Sequence, residues 1–130
     1  RQKTVLREVT EKATRNQLME RNVADEGWDS DPDYGSPVIV LVLADASAHT
    51  CVQDASCVLE NMMRAAHSLG LGSVWINREK EMFESKEGKQ LLEKWNLPST
   101  LAGVGALALG YPAAQPAPAK PRKDGYIVRV

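Results

Sequence analysis

The stretch Pro37–Asp45, PVIVLVLAD, constrains the fold of this 130-residue chain more than any other segment. A continuous run of branched apolar residues, with no polar alternation, reads as a strand buried on both faces. Such a strand lies inside a sheet that helices cover on both sides, so an all-helical bundle is excluded. The run also falls far short of the ~20 apolar residues that a membrane span needs, and no other run approaches that length. A hydrophobic content of 43% supports a packed core. The charge balance, 16 basic against 17 acidic residues, argues against a nucleic-acid binder held by bulk positive charge.

The remaining segments read as the covering helices and further strands. Residues 1–22 read as an exposed basic helix, with Val5, Leu6, Val9, Ala13, Leu18 and Met19 as an interrupted apolar stripe. Its charges, Arg15 among them, read as a solvated face, with a partner-binding surface as the alternative. Residues 23–36 carry five acids, two glycines and a proline, and read as a loop. Within it, Trp28 and Tyr34 either pack on the domain's own surface, the favoured reading, or close over a pocket. Asp25, Asp29, Asp31 and Asp33 lack the central Gly and terminal Glu of an EF-hand loop.

Thr50 and Gln53 have the form of a capping box opening a helix that runs to about Leu69. Val52, Ala55, Ser56, Leu59, Met62, Met63, Ala66 and Leu69 make a stripe wide enough to bury most of that helix. Gly70 suits a left-handed C-terminal stop, and Leu71–Asn77 reads as a short strand. Arg78–Asn96 reads as one charged helix anchored by Phe83, Leu91, Leu92 and Trp95. Leu101–Gly110 is a second apolar strand whose glycines permit close backbone approach. Residues 112–121 form a Pro/Ala-rich extended connector, and Tyr126–Val130 alternates like an edge strand. The sheet is then three- or four-stranded and of mixed direction. A strand after the Pro-rich connector suits an arm that pairs with another subunit.

Few segments carry chemistry. Cys51 and Cys57 sit on different faces of one helix and cannot bridge. Two thiols and no leader-like opening segment point to a reducing, cytoplasmic setting. With His49 and His67 they fit no zinc pattern, so no metal site is expected. No phosphate-binding loop, nucleophile elbow or dinucleotide fingerprint is present, because Gly70-Leu71-Gly72 follows a helix and precedes a strand. No catalytic side chain stands out. Two features remain. One is the strand end Trp75-Ile76-Asn77-Arg78. The other is Lys120-Pro121-Arg122-Lys123, in a tail (residues 119–130) with four basic residues and one acid. Cations two residues apart on an extended segment point the same way and suit a phosphate; a solvated basic tail is the plainer alternative.

Four blocks then stand in a familiar order: VQDASCVLENMMRAAHSLGLGSVWINR (Val52–Arg78), GKQLLEKWNLP (Gly88–Pro98), GALALGYP (Gly105–Pro112) and KPRK (Lys120–Lys123). Together they resemble the nitroreductase family of FMN-dependent oxidoreductases, in particular its short bacterial members, from about Tyr34 onward. The resemblance implies one α+β domain over residues 1–130, with a central, mostly antiparallel sheet flanked by helices. It implies a homodimer whose C-terminal arm is exchanged with the partner subunit and whose FMN sits at the interface. Trp75, Ile76 and Asn77 then lie along the isoalloxazine, mainly through backbone groups, while Lys120 and Arg122 hold the FMN phosphate. The helix from Gln53 supplies dimer and flavin packing. NAD(P)H is the implied donor, and the partner a small electron acceptor such as a nitro compound or quinone, with no nucleic-acid or membrane partner. Flavin performs the redox step, so the lack of a catalytic dyad is in keeping. The family's N-terminal Arg-x-Ser-x-Arg motif and its following Pro-Ser…Asn segment have no counterpart here. The chain opens at Arg1 and its first methionine is Met19, so the expectation is a domain lacking its N-terminal part. A flavin-free, dimeric ligand-binding remnant of the same fold is the alternative.

Overall fold

The computed structural model describes residues 3–26 and 34–129. Along these the elements are β1 (Thr4–Val9), α1 (Lys12–Glu26), β2 (Val38–Asp45), α2 (Cys51–Ser68), β3 (Gly72–Ile76), α3 (Glu79–Glu84), α4 (Lys86–Lys94) and β4 (Leu101–Gly110). The strands form one sheet in the order β1-β2-β4-β3, every neighbour antiparallel. No neighbouring pair in it runs parallel, against the mixed direction expected: the β2–β3 connection through α2 skips one strand position, and β4 later fills it antiparallel to both.

The apolar run becomes β2, flanked on both edges as its double-sided burial requires. Ile39, Leu41 and Leu43 face Leu18 of α1, Met82 and Phe83 of α3, and Leu91 and Leu92 of α4. Val40, Val42 and Ala44 face Ala55 and Leu59 of α2. In β4 a bulge intervenes: Val42 pairs with Gly105 but Leu43 with Gly103, leaving Val104 over. The extra residue shifts the alternation by one, so Leu101 before it and Ala106 and Ala108 after it share a face. The two glycines beside the bulge admit close neighbours. A Cβ at Gly103 would lie 2.0 Å from the Glu79 carbonyl oxygen, and one at Gly105 would lie 2.6 Å from Trp75 Nε1.

Several expectations are corrected. The single helix over residues 1–22 is a strand followed by a helix. Val5 and Val9 are four apart, a spacing that puts residues on one face in either geometry, and the open edge of β2 decides for the strand. Helix α1 then runs through Glu26 into the segment read as loop, and residues 27–33, including Trp28, lie outside the described residues. Arg15 is half-buried rather than solvated and donates to the Ser36 carbonyl, tying α1 to the entry of β2. The helix expected over Arg78–Asn96 breaks at Ser85, whose extended backbone and hydroxyl cap α4 by accepting from Gly88 N at 3.1 Å. The capping box at Thr50 does not form: the Thr50 hydroxyl donates to Asp54 at 2.9 Å instead. The edge strand expected at Tyr126–Val130 is absent through Arg129, because an alternating segment needs a strand edge to pair with and none of the described edges meets it; Val130 lies outside the described residues.

Helix α2 ends as expected, with Gly70 at φ +73° and Leu71 N bonded to the Ala66 carbonyl at 2.9 Å. Its burial differs from expectation. Only Ala55, Leu59 and Ala66 are buried, while Val52 is 57% and Leu69 75% exposed. The sheet covers one line of the helix with Met62 and Met63 partly buried beside it, while Val52 and Leu69 at its two ends face outward.

Candidate functional site

Strand β3 lies at one end of the sheet. It pairs with β4 on one side, from Gly72 with Gly110 to Ile76 with Ala106, and no described strand pairs with its other edge. Successive side chains point to opposite faces. Trp75 turns toward α2 and packs with Leu59 and Met62, whereas Ile76 is buried with Met82 and Phe83. Two adjacent side chains on opposite faces, Trp75 half-buried and Ile76 buried, cannot grip one ligand together, so what this strand can offer a ligand is its open backbone edge. The Trp75 Nε1 is buried over Gly105 without a hydrogen-bond partner among the described residues. Asn77, one residue past the strand, is exposed.

The turn after Asn77 is unusual. Glu79, only 3% exposed, is pressed against Gly103, so the chain must reverse sharply, and Arg78 adopts φ +80°. A non-glycine residue in this region pays roughly 1–2 kcal/mol. The Arg78–Glu81 ion pair, at 3.6 Å between half-exposed side chains, returns only about 0.3–0.5 kcal/mol.

Lys120 and Arg122 lie on the exposed segment after β4. The Arg122 guanidinium stands 5.4 Å from the centre of the Tyr126 ring, a cation–π contact. Among the described residues no hydrogen bond or ion pair joins either cation to Trp75, Ile76 or Asn77. Within one chain the two sequence-derived features are thus not linked by a hydrogen bond or ion pair among the described residues.

The sequence reading missed a groove. Tyr34–Pro37, Gly72–Val74, Ala108–Tyr111 and Ala113 line an open depression of about 410 Å³ at the start of β3. Tyr34, expected to lie on the domain's own surface, is instead 70% exposed at its rim. The available signal was the pair of turn motifs Tyr34-Gly35-Ser36-Pro37 and Gly110-Tyr111-Pro112, whose meeting depends on strand pairing. Elsewhere, Asp45 accepts hydrogen bonds from Lys3 Nζ at 2.7 Å and from the Ser47 hydroxyl at 2.6 Å. These contacts hold its carboxyl well below the usual carboxylate range and pin the start of β1 to the end of β2. Among the described residues no three His, Cys, Asp or Glu side chains gather as metal ligands, and no helix is long and apolar enough to cross a membrane.

Comparison with known proteins bears on this arrangement. The nitroreductase family model matches residues 2–111. A protein of Methanothermobacter thermautotrophicus, named as a candidate NADH dehydrogenase/NAD(P)H nitroreductase, is 35% identical over 85 residues, covering 62% of this chain and 43% of that protein. A protein of the same description from Archaeoglobus fulgidus is 37% identical over 78 residues, covering 58% of this chain and 37% of its own length. The chain thus spans less than half the length of these two relatives. Among solved structures, the FMN-bound nitroreductase of Bacteroides fragilis superimposes with a TM-score of 0.85 at 26% identity, covering 98% of this chain and 76% of that one. An FMN-bound nitroreductase of Desulfitobacterium hafniense gives 0.84 at 20% identity, covering all of this chain and 77% of its own, which bears on the fold alone. A match over residues 2–111, on a sheet of this order, means that the chain belongs to the nitroreductase family.

Proposed function

We propose that the chain is part of an FMN-dependent oxidoreductase that passes electrons from NAD(P)H to a nitro, quinone or related small acceptor, and that it acts as a homodimer. The observation that carries this reading is the open edge of β3 at Trp75–Asn77, on a fold that superimposes closely on an FMN-bound relative. The donor set suits FMN in kind. An unpaired strand edge offers both N–H and C=O groups to a ring that donates and accepts hydrogen bonds, and two cations suit its phosphate. In this reading the backbone of Trp75, Ile76 and Asn77 holds the ring, and Lys120 and Arg122 hold the phosphate. FMN, when bound, supplies the two-electron chemistry; the protein supplies binding, orientation and exclusion of water.

The exposure of both cations, with no bond from either to β3 within one chain, supports an arm that serves a partner subunit's site. So does the apolar face of α2, which is left open at Val52 and Leu69. The same lack of a direct link favours, as a second reading, a flavin-free ligand-binding dimer. The purified chain, mixed with FMN and passed through gel filtration, decides between them by its visible spectrum. Retained flavin absorbance at dimer size is expected; a colourless dimer would sink the flavoenzyme reading. Replacing Lys120 and Arg122 together by alanine is expected to weaken FMN binding by about a hundredfold, the loss of two charge-assisted contacts. Unchanged affinity would remove the phosphate assignment.

A further inference from the structure

The groove at the start of β3 differs in kind from a phosphate or metal site, since no charged side chain lines its volume of about 410 Å³. Two tyrosines line it instead, Tyr34 70% and Tyr111 89% exposed. Tyr34 and Gly35 both have positive φ, +55° and +65°, so a tight turn carries the Tyr34 ring at the rim. One wall is the β3 segment Gly72–Val74, and no described strand pairs with the outer edge of β3. Such an edge presents a row of backbone N–H and C=O groups. Aromatic side chains beside a row of donors and acceptors suit a flat, neutral ring with hydrogen-bonding groups on its own rim, the chemistry of a nucleobase.

The place on the strand decides which ring. Ser73, in the middle of that wall, stands three residues before Ile76, or about 10 Å at the rise of a strand. In the flavoenzyme reading Trp75–Asn77 hold the flavin ring, so a ring seated at Ser73 lies outside contact with it and neither gives nor takes electrons. Among the reactants of that reading, the dinucleotide donor alone must carry a second ring. We propose that the groove is the subsite for the adenine of NAD(P)H, an inference that rests on the flavoenzyme reading above. Tyr34 and Tyr111 stack on the base, and the backbone edge of Gly72–Val74 meets its amino group and ring nitrogens.

The test uses the FMN-loaded protein and two donors, NADH and reduced nicotinamide mononucleotide, which lacks the adenylate half. Tyr34→Ala and Tyr111→Ala are each expected to raise KM for NADH about tenfold, the loss of one stacking face, while leaving the mononucleotide within about twofold. Tyr34→Phe, which keeps the ring, stays within about twofold for both donors. Calorimetric binding of adenosine, which needs no turnover, weakens by the same factor in the two alanine variants, and FMN uptake is unchanged in them. An equal rise for both donors, no rise for either, or a native KM for NADH no lower than that for the mononucleotide overturns the assignment. So does a native chain that binds no adenosine. Failure of the native chain to take up FMN removes the flavoenzyme reading and the donor with it, whereas FMN uptake without a donor-selective loss removes the adenine subsite alone.

Discussion

Alanine at Gly103 and alanine at Gly105 test two kinds of close contact two residues apart in β4. At Gly103 the added Cβ would lie 2.0 Å from the Glu79 carbonyl oxygen and 2.4 Å from its carbonyl carbon. Both are backbone atoms, and the shorter distance lies a full ångström inside the 3.0 Å limit that real Cβ atoms respect. Relief requires α3 to lift from the sheet. That helix carries Met82 and Phe83, both fully buried, so lifting it opens the core that α3 and α4 share. Overpacking usually costs 1–3 kcal/mol, and a contact that only backbone movement can relieve belongs at the upper end, about 3 kcal/mol. At Gly105 the nearest atoms are side-chain atoms, Trp75 Nε1 at 2.6 Å and Leu59 Cδ1 at 2.9 Å. Small rotations of the indole and the leucine relieve them, so about 1.5 kcal/mol is expected. Domains of this size hold only about 5–15 kcal/mol in all, so the two variants should be plainly separated in a urea titration followed by far-UV circular dichroism. Equal losses, a larger loss at Gly105, or a Gly103→Ala variant within about 0.5 kcal/mol of the native chain would refute the claim that β4 and the start of α3 form a rigid contact.

Two further outcomes follow from the local geometry. Ser85→Ala removes the hydroxyl that accepts from Gly88 N and should cost about 1 kcal/mol in the same titration; no measurable loss would show that α4 starts without its cap. The second concerns acid stability. Hydrogen bonds from Lys3 and Ser47 lower the folded value for Asp45 below the ordinary 3.8. Its contribution is therefore complete above that value and lost as pH falls below it. The native chain should lose more stability between pH 7 and pH 3 than Asp45→Asn does, and identical pH profiles would refute the role of the contact.

Segments whose own composition demands burial were legible. PVIVLVLAD could lie only between two strands with helices on both faces, and it does so as β2. The glycine stop at Gly70 was equally plain, since a left-handed residue after an amphipathic helix has few alternatives. Ambiguity entered where one pattern serves two geometries. Val5 and Val9 suit a helix or a strand, and the unpaired edge of β2 settled the matter. The break at Ser85 was missed because Ser-x-x-Gly is a weaker signal than the capping box at Thr50, which does not form. At the site, the sequence pointed to Trp75–Asn77 and to Lys120 with Arg122. The strained turn at Arg78 and the groove lined by Tyr34 and Tyr111 were hidden.

From the amino acids alone came a helix-covered sheet, three of its strands and the long helix, because hydrophobic periodicity and turn chemistry are properties of single segments; the mostly antiparallel α+β fold followed from the family resemblance. The strand order, the bulge at Val104, the approach of Glu79 to Gly103 and the left-handed Arg78 arose only when segments met. Hydrogen-bond pairing and steric exclusion act between residues far apart in the chain, so no window of sequence contains them. The backbone edge of β3 is the clearest case. Its residues could be named in advance, but whether that edge would lie open depended on which strands claimed the others.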